Sequence, residues 1–122
     1  MNDLKQFLRD LNQAWQDQRF DDLGEYFHPA VTMMAPGSSS PMVGAESMVA
    51  SYREFTSMCT VHSCDIGEIT LYEYPGVTFA HLRFEIDYEL DDERSQAAGV
   101  ELYAIDTSGA KPQVVYRTQI QR

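Results

Sequence analysis

The side chains in this sequence able to move protons, ligate a metal or attack an electrophile are few and scattered. Three histidines stand at positions 28, 62 and 81, and none has the i,i+4 spacing that places two imidazoles on one helical face for zinc. His62 and Cys64, two apart in an expected strand, share a face at ~7 Å and supply two soft ligands with no third nearby. No metal site is expected. Ser38, Ser39 and Ser40 read as flexible loop, with no activating base indicated. Neither a Gly-rich phosphate loop nor a Gly-x-Ser-x-Gly elbow is present, and no cofactor is expected. His28, directly before Pro29, is a candidate proton shuttle, since an imidazole titrates near ~6.5. Its alternative role is to cap a helix C-terminus, where a cation favours the dipole.

The elements that must position these groups change period near residue 58. Leu4, Phe7, Leu8, Leu11 and Trp15 recur at steps of three and four, predicting a helix over 3–18, with Asn2 or Asp3 as its cap. A short helix is expected from Asp21–Asp22 through Phe27, with capping-box spacing between Asp22 and Glu25 and a stop at Pro29. A strand over 31–35, a loop over 37–41 and a helix over 45–58 follow, the last facing inward with Met48, Val49, Tyr52 and Phe55.

Strands are then expected over 60–72, 77–90, 97–106 and 113–121, punctuated by Tyr74-Pro75-Gly76, the acidic run Glu89–Glu93 and Thr107–Pro112. In the second of these, Ala80, Leu82, Phe84, Ile86 and Tyr88 form an apolar row. His81, Arg83 and Glu85 lie opposite, in cross-strand or cross-subunit pairs.

Composition narrows the partners. The 122 residues, 43% hydrophobic, read as one domain over 1–122 that buries roughly two-thirds of its unfolded surface. Nineteen acidic residues against nine basic ones, a net charge of −10, argue against nucleic acid, whose phosphates need clustered Lys and Arg, and against an anionic membrane surface. The opening Met1-Asn2-Asp3-Leu4 has no basic segment and no apolar core of a secretory signal, and no apolar run reaches the ~20 residues of a membrane span. A cytoplasmic protein is expected. Cys59 and Cys64, five apart in an expected strand, point to opposite faces ~16 Å apart, beyond the ~7 Å reach of a disulfide.

The run Tyr26-Phe27-His28-Pro29-Ala30-Val31-Thr32, then Pro36-Gly37 and Pro41-Met42-Val43-Gly44-Ala45-Glu46, with helices before residue 58 and strands after it, resembles the NTF2-like superfamily and its small SnoaL-like members. The resemblance covers the whole chain. It implies an α+β cone in which about three helices close a strongly bent, mostly antiparallel sheet, with the back of the sheet as a homodimer interface. It also implies a ligand between sheet and helices, lined by Trp15, Met33 or Met34, Tyr52, Phe55, Phe84 and Tyr103. The two tyrosines stand out, because a buried phenol needs a hydrogen-bond partner and a ligand can be that partner.

The steroid isomerase branch is similar around Ala30-Val31-Thr32 and Pro36. There an aspartate before the proline abstracts the substrate proton, and here that position is Ala35. The branch's tyrosine on the first helix falls near Leu11. Steroid isomerase chemistry by that mechanism is excluded.

A third part of that branch, an acid on the penultimate strand, aligns with Glu101 in Gly99-Val100-Glu101-Leu102-Tyr103. Burial in an apolar cone disfavours a charged carboxyl, which would suit Glu101 to acid–base work. The alternatives are that Glu101 lies on the other sheet face or pairs with Arg117. Arg117 itself resembles the Trp-Arg-Thr endings of family members and would hold an anionic ligand or pair with an acid. Two functions follow as expectations. One is binding of a small, mostly apolar molecule, with isomerase-, dehydratase- or hydrolase-like chemistry at Glu101 and His28. The other is a non-catalytic interaction module with a vestigial cavity.

Overall fold

The structure, a computed structural model, describes residues 3–121. Helix α1 (Leu4–Gln16) begins where the Asp3 carboxylate accepts from the backbone N–H of Lys5 and Gln6 at 3.1 and 3.2 Å, satisfying two of the orphan donors of the first turn. Asn2, the other expected cap, lies outside the described residues. Leu4, Leu8, Leu11, Ala14 and Trp15 are its buried face, and Gln18, with φ of 59°, turns the chain out two residues past the helix end.

Helix α2 is a single turn (Phe20–Leu23) extended by a 3-10 turn over Gly24–Tyr26. The Asp22 side chain does not cap it. Strand β1 (Phe27–Met34) therefore starts four residues earlier than expected, and both His28 and Pro29 lie inside it. The register against β6 breaks between Phe27 and Thr32, where proline has no N–H to give a ladder. After β2 (Met42–Val43) comes α3 (Ala45–Met58), entered through Gly44 at φ 105°. Cys59 is the C-cap of α3, outside the strand assigned to it by sequence, and both cysteines are free thiols.

Strands β3 (Thr60–Tyr74), β4 (Val77–Leu90), β5 (Glu93–Asp106) and β6 (Gln113–Gln121) complete one six-stranded sheet. Its order is β2-β1-β6-β5-β4-β3, antiparallel except for β1 against β6. The acidic run is mostly strand: Glu89 faces Arg94 and Leu90 faces Glu93. Only Asp91 and Asp92 turn, at φ 52° and 64°, the two positive angles that a two-residue hairpin matching strand twist requires. Two irregularities interrupt β3, at Val61/Ser63 and Ile66/Ile69, and bulges of this kind bend a strand.

The three helices cover one face of the sheet, where Ala80, Leu82 and Phe84 of β4 join Tyr103 and Ile105 of β5 in the core with Leu8, Leu11 and Trp15 of α1. The edge of β3 is covered by α1 between Cys64 and Gly67. Gln16 donates to the Cys64 carbonyl and accepts from its N–H, Asn12 donates to the same carbonyl, and Arg9 reaches the carbonyls of Ile66 and Gly67. Side chains at positions 9, 12 and 16 of one helical stripe thus stand in for the missing neighbour strand and leave no open edge there for another chain to pair with. Among the described residues, no helix is long and apolar enough to cross a membrane.

Candidate functional site

The registers decide which side chains meet between sheet and helices. On β5, Gly99, Glu101, Tyr103 and Ile105 are buried on the helix-covered face, while Leu102 and Val100 face outward, less completely covered. Glu101 is opposite Leu82 on one side and Gln119 on the other, and Tyr103 is opposite Arg117. Glu101 and Arg117 are therefore diagonal neighbours, a separation long side chains can bridge.

They do bridge it. Arg117 Nε donates to Glu101 Oε2 at 2.8 Å, and Nη2 meets the same oxygen at 2.8 Å. Tyr103 OH donates to it at 3.1 Å and Gln119 Nε2 at 3.2 Å. Glu101 Oε1 accepts from none of the described residues. The remaining arginine nitrogen, Nη1, has only the thioether sulfurs of Met33 and Met48 at 3.4 and 3.8 Å, which are weak acceptors. The guanidinium lies over the Tyr52 ring, 5.0 Å from its centroid.

Both ends of the pair are buried, Glu101 at 6% and Arg117 at 5% exposed. Burial works against the charge on Arg117, but Tyr52, Glu101 and Tyr103 around it outweigh that cost and its pKa is raised. Burial pushes the Tyr52 and Tyr103 phenols up, so both are neutral. The Cys64 thiol is pushed by burial from 9.0 to about 12, which leaves it a protonated apolar wall rather than a nucleophile. The Tyr52 hydroxyl is enclosed and has no partner among the described residues.

A cavity of about 240 Å³ opens beside this pair. Trp15, Phe55, Phe84, Ile86 and Tyr88 supply most of its apolar wall, and Asn12, Gln119, Glu101 and Arg117 its polar groups. The Trp15 and Tyr52 rings stack at 5.5 Å, and Phe55 meets Trp15 edge-on at 6.1 Å. The Trp15 indole N–H donates to Asn12 Oδ1 at 3.0 Å, which fixes the ring at the wall. Phe84 lies over Gly99, where a Cβ would meet Ile120 O at 2.6 Å and the Phe84 ring at 2.9 Å.

Of the residues singled out by sequence, Trp15, Tyr52, Phe55, Phe84, Glu101 and Arg117 line the cavity together. Tyr103 stands behind it, holding Glu101. Met34 does not line it. Met33, paired with Arg117 across β1 and β6, is the inward residue, and the alternation of a strand sends its neighbour to the other side. His28 is not among the lining residues either: it belongs to β1, and its Nδ1 accepts from the Ala30 N–H at 3.0 Å, a local turn in place of a helix cap.

The supposed His62–Cys64 pair is split by the bulge at Val61/Ser63. Cys64 is buried while His62 is exposed and meets Glu89 Oε1 at 3.3 Å. Among the described residues, no cluster of His, Cys, Asp and Glu has metal-ligand geometry. Sequence reasoning missed Asn12, Gln119 and Ser51. The signal available for Asn12 was a polar residue set among Leu8, Leu11 and Trp15 on one helical stripe; the others had none.

No family model matches the sequence, and no curated protein matches it by sequence. Solved structures do match in three dimensions. An NTF2-like protein from Cytophaga hutchinsonii is 14% identical, with each chain covered in full and a TM-score of 0.83. The beta subunit of benzoate 1,2-dioxygenase from Burkholderia mallei is 15% identical over 98% of this chain and 89% of its own, at 0.81. A ketosteroid isomerase-like protein from Erwinia carotovora atroseptica is 14% identical over 96% and 92%, at 0.80. The chain has the NTF2-like fold; at these identities the likeness speaks for the fold alone.

Proposed function

We propose that this NTF2-like chain binds a small, mostly apolar organic molecule in the cavity between helices and sheet, with the Glu101–Arg117 pair as its polar anchor. The observation that carries this is the pair's position, buried and yet at the wall of an aromatic cavity with one carboxylate oxygen uncommitted among the described residues. Desolvating two charges offsets much of their mutual attraction, so a buried pair is a weak way to hold a fold. A concave apolar site with a few convergent polar groups is the usual form of a ligand site. Proton transfer on the bound molecule would use Glu101 Oε1, since Oε2 is occupied by three hydrogen-bond donors and the ion-pair contact from Arg117 Nη2. His28, outside the cavity lining, has no part in this reading.

The test is a titration of the ¹⁵N-labelled protein with toluene and with indole, reading the indole N–H of Trp15, the sole tryptophan. Saturable shifts that disappear in Ala97→Phe, which fills the cavity, are expected. Absence of any shift, or shifts indifferent to that variant, would sink the reading.

A second reading is favoured by the outer face of the sheet. Rows Phe79–Ala104–Tyr116, His81–Leu102–Thr118 and Arg83–Val100–Ile120 run across β4, β5 and β6, with Phe79 47% and Ile120 56% exposed. A ribbon so apolar suits a homodimer interface better than water. Sedimentation of Arg83→Glu and Leu102→Asp tests it: a wild-type dimer should become monomeric in both, and a wild-type monomer rejects it.

A further inference from the structure

The cavity reading above fixes where a ligand sits, and the charges and acceptors on the cavity wall say more about what it is. Among the described residues, Glu101 and Arg117 are the only Asp, Glu, Lys, Arg or His side chains that line the cavity, and they balance. Cys64 and Tyr52, the wall's other buried titratable groups, are held neutral by burial. The site is thus electroneutral as it stands. Adding an anion or a cation would leave one net charge in a desolvated pocket, which is costly.

The hydrogen-bonding of the pair is one-sided. Oε2 of Glu101 accepts from Arg117 Nε, Tyr103 OH and Gln119 Nε2, all within 3.2 Å, with Arg117 Nη2 in ion-pair contact at 2.8 Å, and Oε1 takes no donor among the described residues. A carboxylate offers about four lone-pair sites across its two oxygens, so the oxygen left over, on a residue that lines the cavity, is an acceptor with its countercharge already supplied. It calls for a donor that brings no charge of its own. About 240 Å³ falls below the ~300–1,000 Å³ of sites for drug-sized molecules and equals the liquid volume of roughly eight waters. Trp15, Phe55, Phe84 and Tyr88 present aromatic surface to such a body, and flat rings pack on such surfaces edge-on or offset.

We propose that the ligand is a compact, uncharged ring compound whose hydroxyl or N–H donates to Glu101 Oε1. The inference rests on the cavity reading and goes beyond it by selecting for charge and hydrogen-bond sense. Five single-ring probes separate these at neutral pH: phenol, anisole, toluene, benzoate and benzylammonium, each titrated while following the Trp15 indole N–H. Phenol should bind ~10-fold or more tighter than anisole, the effect of one hydrogen bond to a charged acceptor, and both ions should bind no tighter than toluene.

Anisole matching phenol overturns the donor assignment. Benzoate or benzylammonium matching phenol overturns the neutrality. Silence from all five, toluene included, rejects the cavity as a ligand site altogether, a different failure from the first two. Glu101→Gln adds a check on the charge balance. It unpairs Arg117, so benzoate should gain ~10-fold or more relative to phenol, again the scale of a charged hydrogen bond. An unchanged ratio in a folded variant counts against the inference; a variant that does not fold leaves the wild-type panel to decide.

Discussion

Arg117 sends two nitrogens to a single oxygen of Glu101, Nε and Nη2 each at 2.8 Å from Oε2. A guanidinium more often takes both oxygens of a carboxylate in parallel. The diagonal register sets the difference: Glu101 pairs with Gln119 and Tyr103 with Arg117, so Arg117 approaches from the side and shares Oε2 with Tyr103 and Gln119.

Breaking this pair from one side should destabilise the protein strongly. Arg117→Met leaves a buried carboxylate without its countercharge, a loss of about 3–5 kcal/mol in urea unfolding. Adding Glu101→Gln removes that charge while keeping an acceptor for Tyr103 and Gln119, and should recover most of the loss. A double variant as unstable as Arg117→Met would show that the charge is not what the single variant exposes.

Tyr52→Phe should leave stability unchanged or raise it. The hydroxyl it removes is buried without a partner among the described residues, a state that costs about 1–3 kcal/mol, and the stacked ring against Trp15 is retained. A fall in melting temperature of several degrees would mean the hydroxyl has a partner in solution.

Gly99→Ala should destabilise by about 1–3 kcal/mol, as overpacking of a core does. Its Cβ would sit 2.6 Å from the Ile120 carbonyl oxygen and 2.9 Å from the Phe84 ring. Adding Phe84→Leu relieves the side-chain clash alone, so chemical denaturation should show partial recovery, and full recovery would show that the backbone contact is harmless.

Alkaline pH should unfold the protein ahead of any effect from carboxylates. Burial raises Cys64 from 9.0 to about 12, and raises Tyr52 and Tyr103 above their ordinary 10.0. Between the unfolded and folded pKa the native state keeps protons that the unfolded chain has lost, so stability falls as pH rises, by up to ~1.4 kcal/mol per pH unit for each group. Stability from these groups is fully present below about pH 9 and declines above it. Urea midpoints taken from pH 8 to 11 should slope downward, and Cys64→Ala should flatten the first part of that slope. A flat wild-type profile over this range contradicts the burial of all three.

Much of the fold was legible because alternation and helical spacing are local. Ala80, Leu82, Phe84, Ile86 and Tyr88 mark one face of β4 at a period of two, and Leu4, Leu8, Leu11 and Trp15 mark one side of α1. Boundaries were less legible where a turn residue also suits a strand: Glu93–Gln96 read as loop and extended β5, because two aspartates at positive φ are enough to reverse the chain. His28 and Pro29 read as a helix end and turned out to open β1, since the helix had already stopped at Leu23 and a 3-10 turn.

For the site, spacing marked aromatic residues on the inward stripes, and the family resemblance pointed to an acid on β5, an arginine on β6 and the lack of an aspartate at position 35. They could not assign Glu101 to a face, because Val100, Leu102 and Ala104 make the alternate face of β5 as apolar as its own. Only pairing to Leu82 on one side and Gln119 on the other turns Glu101 inward. Pairing likewise chose Met33 over Met34, and a bulge separated His62 from Cys64. Periodicity is a property of one strand and is read along the chain. Which face is inside, and which oxygen of a carboxylate is left free, depend on registers between strands far apart in sequence, and those were decided only by the tertiary structure.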